Sequence, residues 1–202
     1  DNHGNEGLLT PGSVQWMTAG RGLVHSEMPE QESGQMRGFQ LWVNLPAREK
    51  MTDPKYQEFA PERIPVVQPE PGVEVKVIAG TVDGTTGPIV QPATDPLYLD
   101  VRLEADRAWT YTLPEGHNAF AYVFEGAITV GEQDAARDVA RQELAVLGGG
   151  EQLHVSAGSE GARLILVAGR PLREPVMRHG PFVMNTRQEL MQAFVDFQEG
   201  RF

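Results

Sequence analysis

Cysteine is absent from this chain of 202 residues. Disulfide bonds and thiolate metal sites are therefore excluded, and a bound metal would need imidazole, carboxylate or water ligands. No apolar run approaches the roughly 18 residues that a membrane-spanning helix requires. No signal peptide is visible in the sequence. These absences predict a soluble protein of the cytoplasm.

Positive charge is also scarce. The 17 Lys and Arg residues stand against 28 Asp and Glu residues, which gives a net charge of −11. Direct binding of nucleic acid through phosphate contacts needs a basic face, so the composition disfavours it. The hydrophobic content of 40% is enough for a folded core. We expect a globular monomer, and the opening at Asp1 without a Met favours a processed or clipped start.

Apolar and polar residues alternate with period two in several short runs that Gly, Pro, Asn and Asp bound. This pattern is typical of β-strands. The runs cover residues 39–45, 73–79, 97–104, 120–124, 127–130, 143–147 and 163–168. Gly126 and the three glycines at 148–150 are expected to turn the chain. Short strands at this density predict an all-β protein built as a sandwich or barrel.

One helix is predicted near the end of the sequence. Thr186 and Glu189 have the spacing of a capping box, in which each side chain satisfies a backbone N–H of the other residue. Phe194 and Phe197 follow at helical spacing, and Gly200 is placed to end the helix. The apolar stripe of this helix is expected to pack on a sheet.

The middle of the sequence indicates two β units. Residues 48–71 are rich in Pro, Glu and Lys and lack sustained periodicity, so they predict an ordered connector. The expected boundary lies near residue 70, with one unit at 1–70 and another at 71–202. Weak similarity between LLTPGSVQWMTAGRGLVHSE and LAVLGGGEQLHVSAGSEG supports two related halves.

His25 and Glu27 are the strongest candidate functional residues. If their segment is extended, side chains two residues apart point to the same face. Imidazole and carboxylate groups together suit non-haem iron, manganese or zinc. A surface pair or a structural role is the alternative interpretation. Gly20 and Gly22 fit either a bulge or a close approach of the backbone to another group.

The other histidines carry less information. His117 and His154 belong to the second unit, and neither has a second metal-ligand type at a suitable spacing. His179 is interpreted as orienting the connection into the helix. Arg21 is a candidate for the rim of a site, where it would hold an anionic substrate.

Three segments resemble the pirin family of bicupins: GSVQWMTAGRGLVHSE, LWVNLPAREKMTDPKYQE and GPFVMNTRQELMQAFVDFQEGRF. They span most of the chain in family order. The resemblance implies two jelly-roll cupin barrels followed by a C-terminal α-helix. It also implies a single metal, usually iron, held in the first barrel by three histidines and a glutamate. The second barrel of the family generally holds no metal.

The resemblance assigns specific residues. His25 matches the third histidine of the family and Glu27 matches the glutamate. The remaining two ligands lie upstream in the family, in a His-x-His pair within a segment resembling HPHRGFE, which this sequence lacks. His3 lies in DNHGNEG, which resembles the polar turn that follows the missing strands. We therefore expect an incomplete first barrel, with one divalent metal, Fe(II), bound by an intact parent and weakly or not at all by this chain.

Two functions are implied by the resemblance. Some members are quercetin 2,3-dioxygenase-like enzymes that use iron, a flavonol and O2, and Glu27 would then be both a ligand and the catalytic base. Other members are non-enzymatic, redox-dependent regulators that act through protein partners, as transcriptional co-regulators or modulators of metabolic enzymes. Residue spacing does not discriminate between the enzymatic and the regulatory function.

Overall fold

A computed structural model describes residues 1–2, 4–30 and 33–202. His3, which the family resemblance places in a polar turn, lies outside the described residues. The described elements are fourteen strands, one α-helix and three short 3-10 helices at Ala47–Glu49, Pro61–Arg63 and Gln133–Ala135. The strands and the α-helix follow one another along the chain as β1 Val14–Thr18, β2 Lys55–Phe59, β3 Val66–Glu70, β4 Val73–Ala79, β5 Thr81–Val82, β6 Thr85–Thr86, β7 Leu97–Leu103, β8 Ala108–Thr112, β9 Asn118–Val130, β10 Arg137–Val139, β11 Leu144–Val146, β12 Gln152–Gly169, β13 Met177–His179, β14 Phe182–Met184 and α1 Arg187–Gln198. None of the described helices is long and apolar enough to cross a membrane.

The chain divides into two compact units. The first unit contains residues 1–9, 15–57 and 172–202, and the second contains residues 10–14 and 58–171. Residues 172–202, which include α1, therefore group with the beginning of the chain. The domain boundary near residue 70 stays a prediction.

An antiparallel sheet of eight strands forms the second unit. Its main order is β10-β9-β12-β7-β4-β3, while β11 pairs with β9 and β8 pairs with β12. The path ends at β10 and β3, so the described strands do not close into a barrel. The all-β prediction is confirmed, with one helix at the expected place.

Alternation along the strands places apolar side chains in the core. In β7, Leu97, Leu99, Val101 and Leu103 are buried, while the residues between them are more exposed. Val73, Val75 and Val77 of β4 join the same cluster. Burying each such side chain contributes about 1.5–3 kcal/mol. The core of this unit is therefore mainly aliphatic, and it also contains the buried ring of Trp109.

Gly126 does not turn the chain as predicted. It lies inside β9, which joins the two predicted runs into one strand of 13 residues. Its φ is +66°, and a methyl group there would lie 2.1 Å from the carbonyl oxygen of Gly161 on β12. The glycine therefore permits an irregularity at which two long strands stay in contact.

The predicted strand at 39–45 is wrong, because these residues have no regular secondary structure. Trp42 is 69% exposed, and Phe39 and Val43 are also exposed. A strand needs a hydrogen-bonded neighbour and a covered face, and alternation supplies neither by itself.

The connector prediction for 48–71 is also incomplete, since this stretch contains β2 and β3. Pro69 lies in β3, which is at the edge of the sheet and, among the described strands, pairs with β4 alone. An edge strand tolerates proline because one row of its backbone groups has no partner. The prolines are therefore the reason that the sequence pattern did not predict β3.

The predicted helix is confirmed in detail. The Thr186 hydroxyl accepts from the backbone N–H of Glu189, and the Glu189 carboxylate accepts from the backbone N–H of Thr186. Phe194 packs edge-on against Phe182 of β14 at 4.9 Å between ring centroids. The sheet on which the helix packs is the two-stranded hairpin of β13 and β14.

Candidate functional site

His25 and Glu27 lie in a segment of the first unit that follows β1 and has no regular secondary structure. Both side chains are exposed. Within the part of the chain that the structure describes, neither has a hydrogen-bond or ion-pair partner. Their donor atoms are therefore accessible to a ligand from solvent.

Contacts with the turn at residues 52–53 hold the segment on its upstream side. The backbone N–H of Arg21 donates to the Thr52 carbonyl oxygen at 2.8 Å. The Arg21 guanidinium pairs with the Asp53 carboxylate at 3.0 Å. A methyl group at Gly20, where φ is +55°, would lie 2.1 Å from the Thr52 oxygen. Gly20 therefore marks a close approach of two backbones, and Arg21 is engaged with Asp53.

Asn2 holds the backbone at Val24, which lies closer to the candidate ligands and immediately before His25. The backbone N–H of Asn2 donates to the Val24 carbonyl oxygen at 2.9 Å. The Val24 N–H donates in turn to Oδ1 of Asn2 at 3.1 Å. Both backbone groups of Val24 are thus bonded to one residue.

Lys50 is the most buried charged residue described in the first unit, with 7% of its surface exposed. Its ammonium donates to Oδ1 of Asn44 at 2.5 Å and to the Val183 carbonyl oxygen at 3.1 Å. Burial lowers the pKa of Lys50, and the nearby carboxylates of Glu174 and Glu189 oppose that shift. The lysine thus ties residues 44–50 to the C-terminal segment.

Glu174 extends the same network. Its Oε2 accepts from the backbone N–H of Ala47 at 2.7 Å and from Nδ2 of Asn185 at 3.0 Å. Sequence reasoning missed Lys50 and Glu174, because a single Lys or Glu in a polar stretch carries no spacing signal. Asn2 was missed for the same reason.

The histidines of the second unit are engaged with protein groups. The His117 side chain is 4% exposed, and its Nε2 and Nδ1 lie 2.8 Å and 3.2 Å from the carbonyl oxygens of Asp95 and Glu115. Nδ1 of His154 lies 2.6 Å from the Thr110 hydroxyl, and its Nε2 lies 3.3 Å from the Glu132 carboxylate. Each imidazole thus links neighbouring turns or strands.

His179 lies in β13 and packs edge-to-face against Phe194 of α1, with 5.4 Å between ring centroids. This contact is compatible with the predicted role of orienting the connection into the helix. It keeps His179 within the aromatic cluster of the hairpin and helix.

The side chains of His25 and Glu27 are of the types that bind a divalent metal, but two ligands are fewer than a complete metal site needs. One imidazole and one carboxylate match the preferences of iron, manganese and zinc. Among the described residues, no group of three or more His, Asp or Glu side chains is arranged to hold a metal ion. The pair therefore fits as part of a ligand set.

Two family models match the sequence. One described as the Pirin C-terminal cupin domain matches residues 98–202. Another described as Pirin matches residues 1–43. Together they cover both ends of the chain.

Curated relatives match along the whole chain. A pirin-like protein of Caulobacter vibrioides is 53% identical over 100% of this chain and 72% of its own length. A putative quercetin 2,3-dioxygenase of Pseudomonas aeruginosa is 47% identical over 99% of this chain and 71% of its own. Human pirin is 42% identical over 98% and 68% respectively.

A solved structure is also similar to this chain. The crystal structure of a quercetin 2,3-dioxygenase from Acinetobacter baumannii superposes with a TM-score of 0.83 at 30% identity. The match covers 99% of this chain and 70% of that one.

Proposed function

Because this chain belongs to the pirin family of cupin proteins, we propose that it acts as a metal-dependent oxidoreductase of the quercetin 2,3-dioxygenase type. The observation that carries the proposal is the exposed His25 and Glu27 pair, whose donor atoms have no partner in the described part of the chain. A relative and a similar solved structure bear the name of this activity. The proposed substrates are a flavonol and O2.

His25 and Glu27 would hold one divalent metal, for which Fe(II) is our choice. When bound, the metal would supply Lewis acidity and a template for the two substrates. His25 would serve as a neutral imidazole ligand. Glu27 would serve as a ligand and as the base that accepts the proton of the flavonol hydroxyl, since a carboxylate beside the substrate is within proton-transfer reach.

The rest of the segment would position these two side chains. Gly20 and Arg21 fix its upstream end against Thr52 and Asp53. We propose that the ligand set is completed by the His-x-His pair that the family resemblance places upstream. This chain by itself would then bind the metal more weakly than the extended protein does.

The test uses the chain extended by the upstream residues of the Caulobacter vibrioides relative, of which the present sequence covers 72%. We expect the iron-loaded protein to consume O2 and release CO with quercetin. Glu27→Ala should abolish both signals, because it removes a ligand and the base. Glu30→Ala is the matched control, since Glu30 is an exposed carboxylate three residues further along the same segment.

Iron content is measured in every sample before turnover. Full iron occupancy without O2 consumption would contradict the enzymatic proposal. Equal losses in Glu27→Ala and Glu30→Ala would contradict the assignment of Glu27.

A regulatory function is a second candidate, favoured by apolar side chains at the surface of the first unit. Met28 and Met36 are 79% and 71% exposed, and Trp42 is also exposed. Contiguous patches of exposed apolar side chains are typical of surfaces that contact another polypeptide. A redox-dependent regulator would bind its partner with different affinities in the ferrous and ferric states, and equal affinities would rule this function out.

Monomeric state and cytoplasmic location stay predictions, to be measured by light scattering and fractionation.

A further inference from the structure

Residues from both ends of the sequence meet at the segment that precedes His25. Asn2 bonds both backbone groups of Val24, as its N–H donates to the Val24 oxygen and its Oδ1 accepts from the Val24 N–H. The same side chain donates from Nδ2 to the main-chain oxygen of Phe202 at 2.9 Å. One asparagine thus connects position 24 to the last residue of the sequence.

Phe202 contacts the segment a second time through its ring. A methyl group added at Gly22 would lie 2.3 Å from Cδ1 and from Cγ of that ring. Gly22 has a φ of +149°, so the close approach of the ring and the backbone conformation both favour glycine. The ring is itself held by Phe182 at 5.7 Å and Phe197 at 5.8 Å between centroids.

We infer that Asn2 and Phe202 are positioning residues that hold the backbone at 22–24 so that His25 and Glu27 present their donor atoms together. The inference rests on the proposed metal-binding function of that pair. His25 directly follows Val24, and neither ligand side chain has a described partner of its own. The bonds of Val24 and the ring contact at Gly22 are therefore the described restraints nearest to the ligands on this side.

The expected size of the effect follows from conformational entropy. A backbone residue that is already ordered does not need to be ordered when the metal binds. Ordering one residue costs about as much free energy as a tenfold change in an equilibrium constant. Loss of the restraint at Val24 should therefore weaken metal binding roughly tenfold.

The first measurement needs no metal. Amide hydrogen exchange at Val24, followed by NMR in the full chain, reports whether its N–H is bonded to Asn2. We expect Asn2→Ala to remove protection at Val24. Asn2→Asp should keep much of it, because the aspartate retains an acceptor oxygen while losing the donor to Phe202.

The second measurement uses Mn²⁺ as the probe. Paramagnetic broadening locates the ion, and water-proton relaxation gives its affinity even when binding is weak. We expect broadening centred on residues 25–27 in the wild-type chain, with its loss in His25→Ala. Asn2→Ala and Phe202→Ala should each weaken Mn²⁺ binding roughly tenfold.

Two variants separate positioning from general stability. Phe194→Ala removes a ring from the same aromatic cluster without removing the ring at Gly22, so Mn²⁺ affinity should change less than about twofold. Phe202→Tyr restores the ring and should recover the affinity that Phe202→Ala loses. The Mn²⁺ electron paramagnetic resonance spectrum should recover with it.

The outcomes separate the positioning role from the metal-binding function. Wild-type binding at residues 25–27 with unchanged affinity in Asn2→Ala and Phe202→Ala would overturn the positioning role and leave the proposed function standing. Unchanged Val24 exchange in Asn2→Ala would also overturn it. Mn²⁺ affinity that does not respond to His25→Ala would overturn the metal-binding function, and the positioning role with it.

Discussion

Single residues show how the first unit supports side chains that carry charge. Lys50 is buried, yet its ammonium has an amide oxygen and a carbonyl oxygen as acceptors. Burial lowers the pKa of Lys50 because water no longer solvates the charged form. His25 and Glu27 are the opposite case, since they are exposed and their ring nitrogens and carboxylate oxygens are available to bind a metal.

Replacement of Lys50 tests this network. Lys50→Met should lower the free energy of unfolding by about 1–3 kcal/mol, because the acceptors on Asn44 and Val183 lose their buried donor. Urea denaturation measures the change. Lys55→Met is the matched control, since Lys55 is an exposed lysine on β2. If Lys50→Met were as stable as Lys55→Met, the gain from removing a buried charge would equal the loss of the two hydrogen bonds.

At the scale of elements, local hydrogen bonds explain where the helix begins. The Thr186 hydroxyl donates to Oε2 of Glu189 at 2.8 Å and accepts from the Glu189 N–H at 3.2 Å. The bond from Thr186 is the main reason that the pKa of Glu189 lies below its usual value. This contribution to stability is present above the ordinary pKa of Glu and is lost as the pH falls through the folded value.

Removal of the N-cap should therefore weaken the helix. Thr186→Ala should cost about 0.5–2 kcal/mol, since an N-cap hydroxyl satisfies a backbone donor that is otherwise unpaired. Thermal melting followed by circular dichroism measures the loss. Thr186→Ser keeps the hydroxyl and should melt close to the wild type. Equal melting of the Ala and Ser variants would show that the capping box adds nothing.

At the scale of the molecule, the two units contribute differently. The second unit buries an aliphatic core between long antiparallel strands and holds its histidines in hydrogen bonds. The first unit carries the candidate ligands on a segment without regular structure, and such segments commonly carry function on a rigid scaffold. Stability and the proposed chemistry are thus concentrated in different units.

The pH dependence of global stability follows from a buried phenol. Burial and the Asp100 carboxylate raise the pKa of Tyr98 to about 12, from an ordinary value of 10.0. A group whose pKa is higher in the folded state contributes stability that is complete below its unfolded pKa. That contribution is lost as the pH rises from about 10 to about 12.

Denaturation at a series of alkaline pH values measures this loss. Tyr98→Phe should make the stability less steep above about pH 10, because the titrating group is gone. Tyr111, whose pKa is also raised to about 12, should preserve part of the slope. An unchanged slope in the Tyr98→Phe, Tyr111→Phe double variant would contradict the assignment.

Much of the second unit is predictable from local pattern. The run predicted at 73–79 is β4, and the run at 97–104 differs from β7 by one residue. Both strands are covered on the apolar face, so alternation and burial agree. The capping box predicted the start of α1 because its hydrogen bonds join residues three apart.

The predictions fail where the local structure depends on contacts between segments that are far apart in the sequence. Residues 39–45 alternate as a strand does but lack a described strand partner. Gly126 pairs with Ala162 of β12 and lies against the Gly161 carbonyl oxygen, and its neighbours in the sequence do not indicate either contact. The family motif identified His25 and Glu27, whose metal role stays a prediction. It could not identify Asn2 or Phe202, which lie 200 positions apart in the sequence and meet in a hydrogen bond.

Local chemistry in the chain therefore accounts for the strand alternation and the helix cap, whereas the family motif identified the pair of candidate ligands. The alternation and the cap depend on neighbours a few residues away, whose geometry the covalent chain restricts. The burial of Lys50, the closeness of Gly20 to Thr52 and the contact of Phe202 with Gly22 arise only when the chain folds. The reason is physical: each of these contacts joins segments far apart in sequence, and packing of the whole unit is what brings them together.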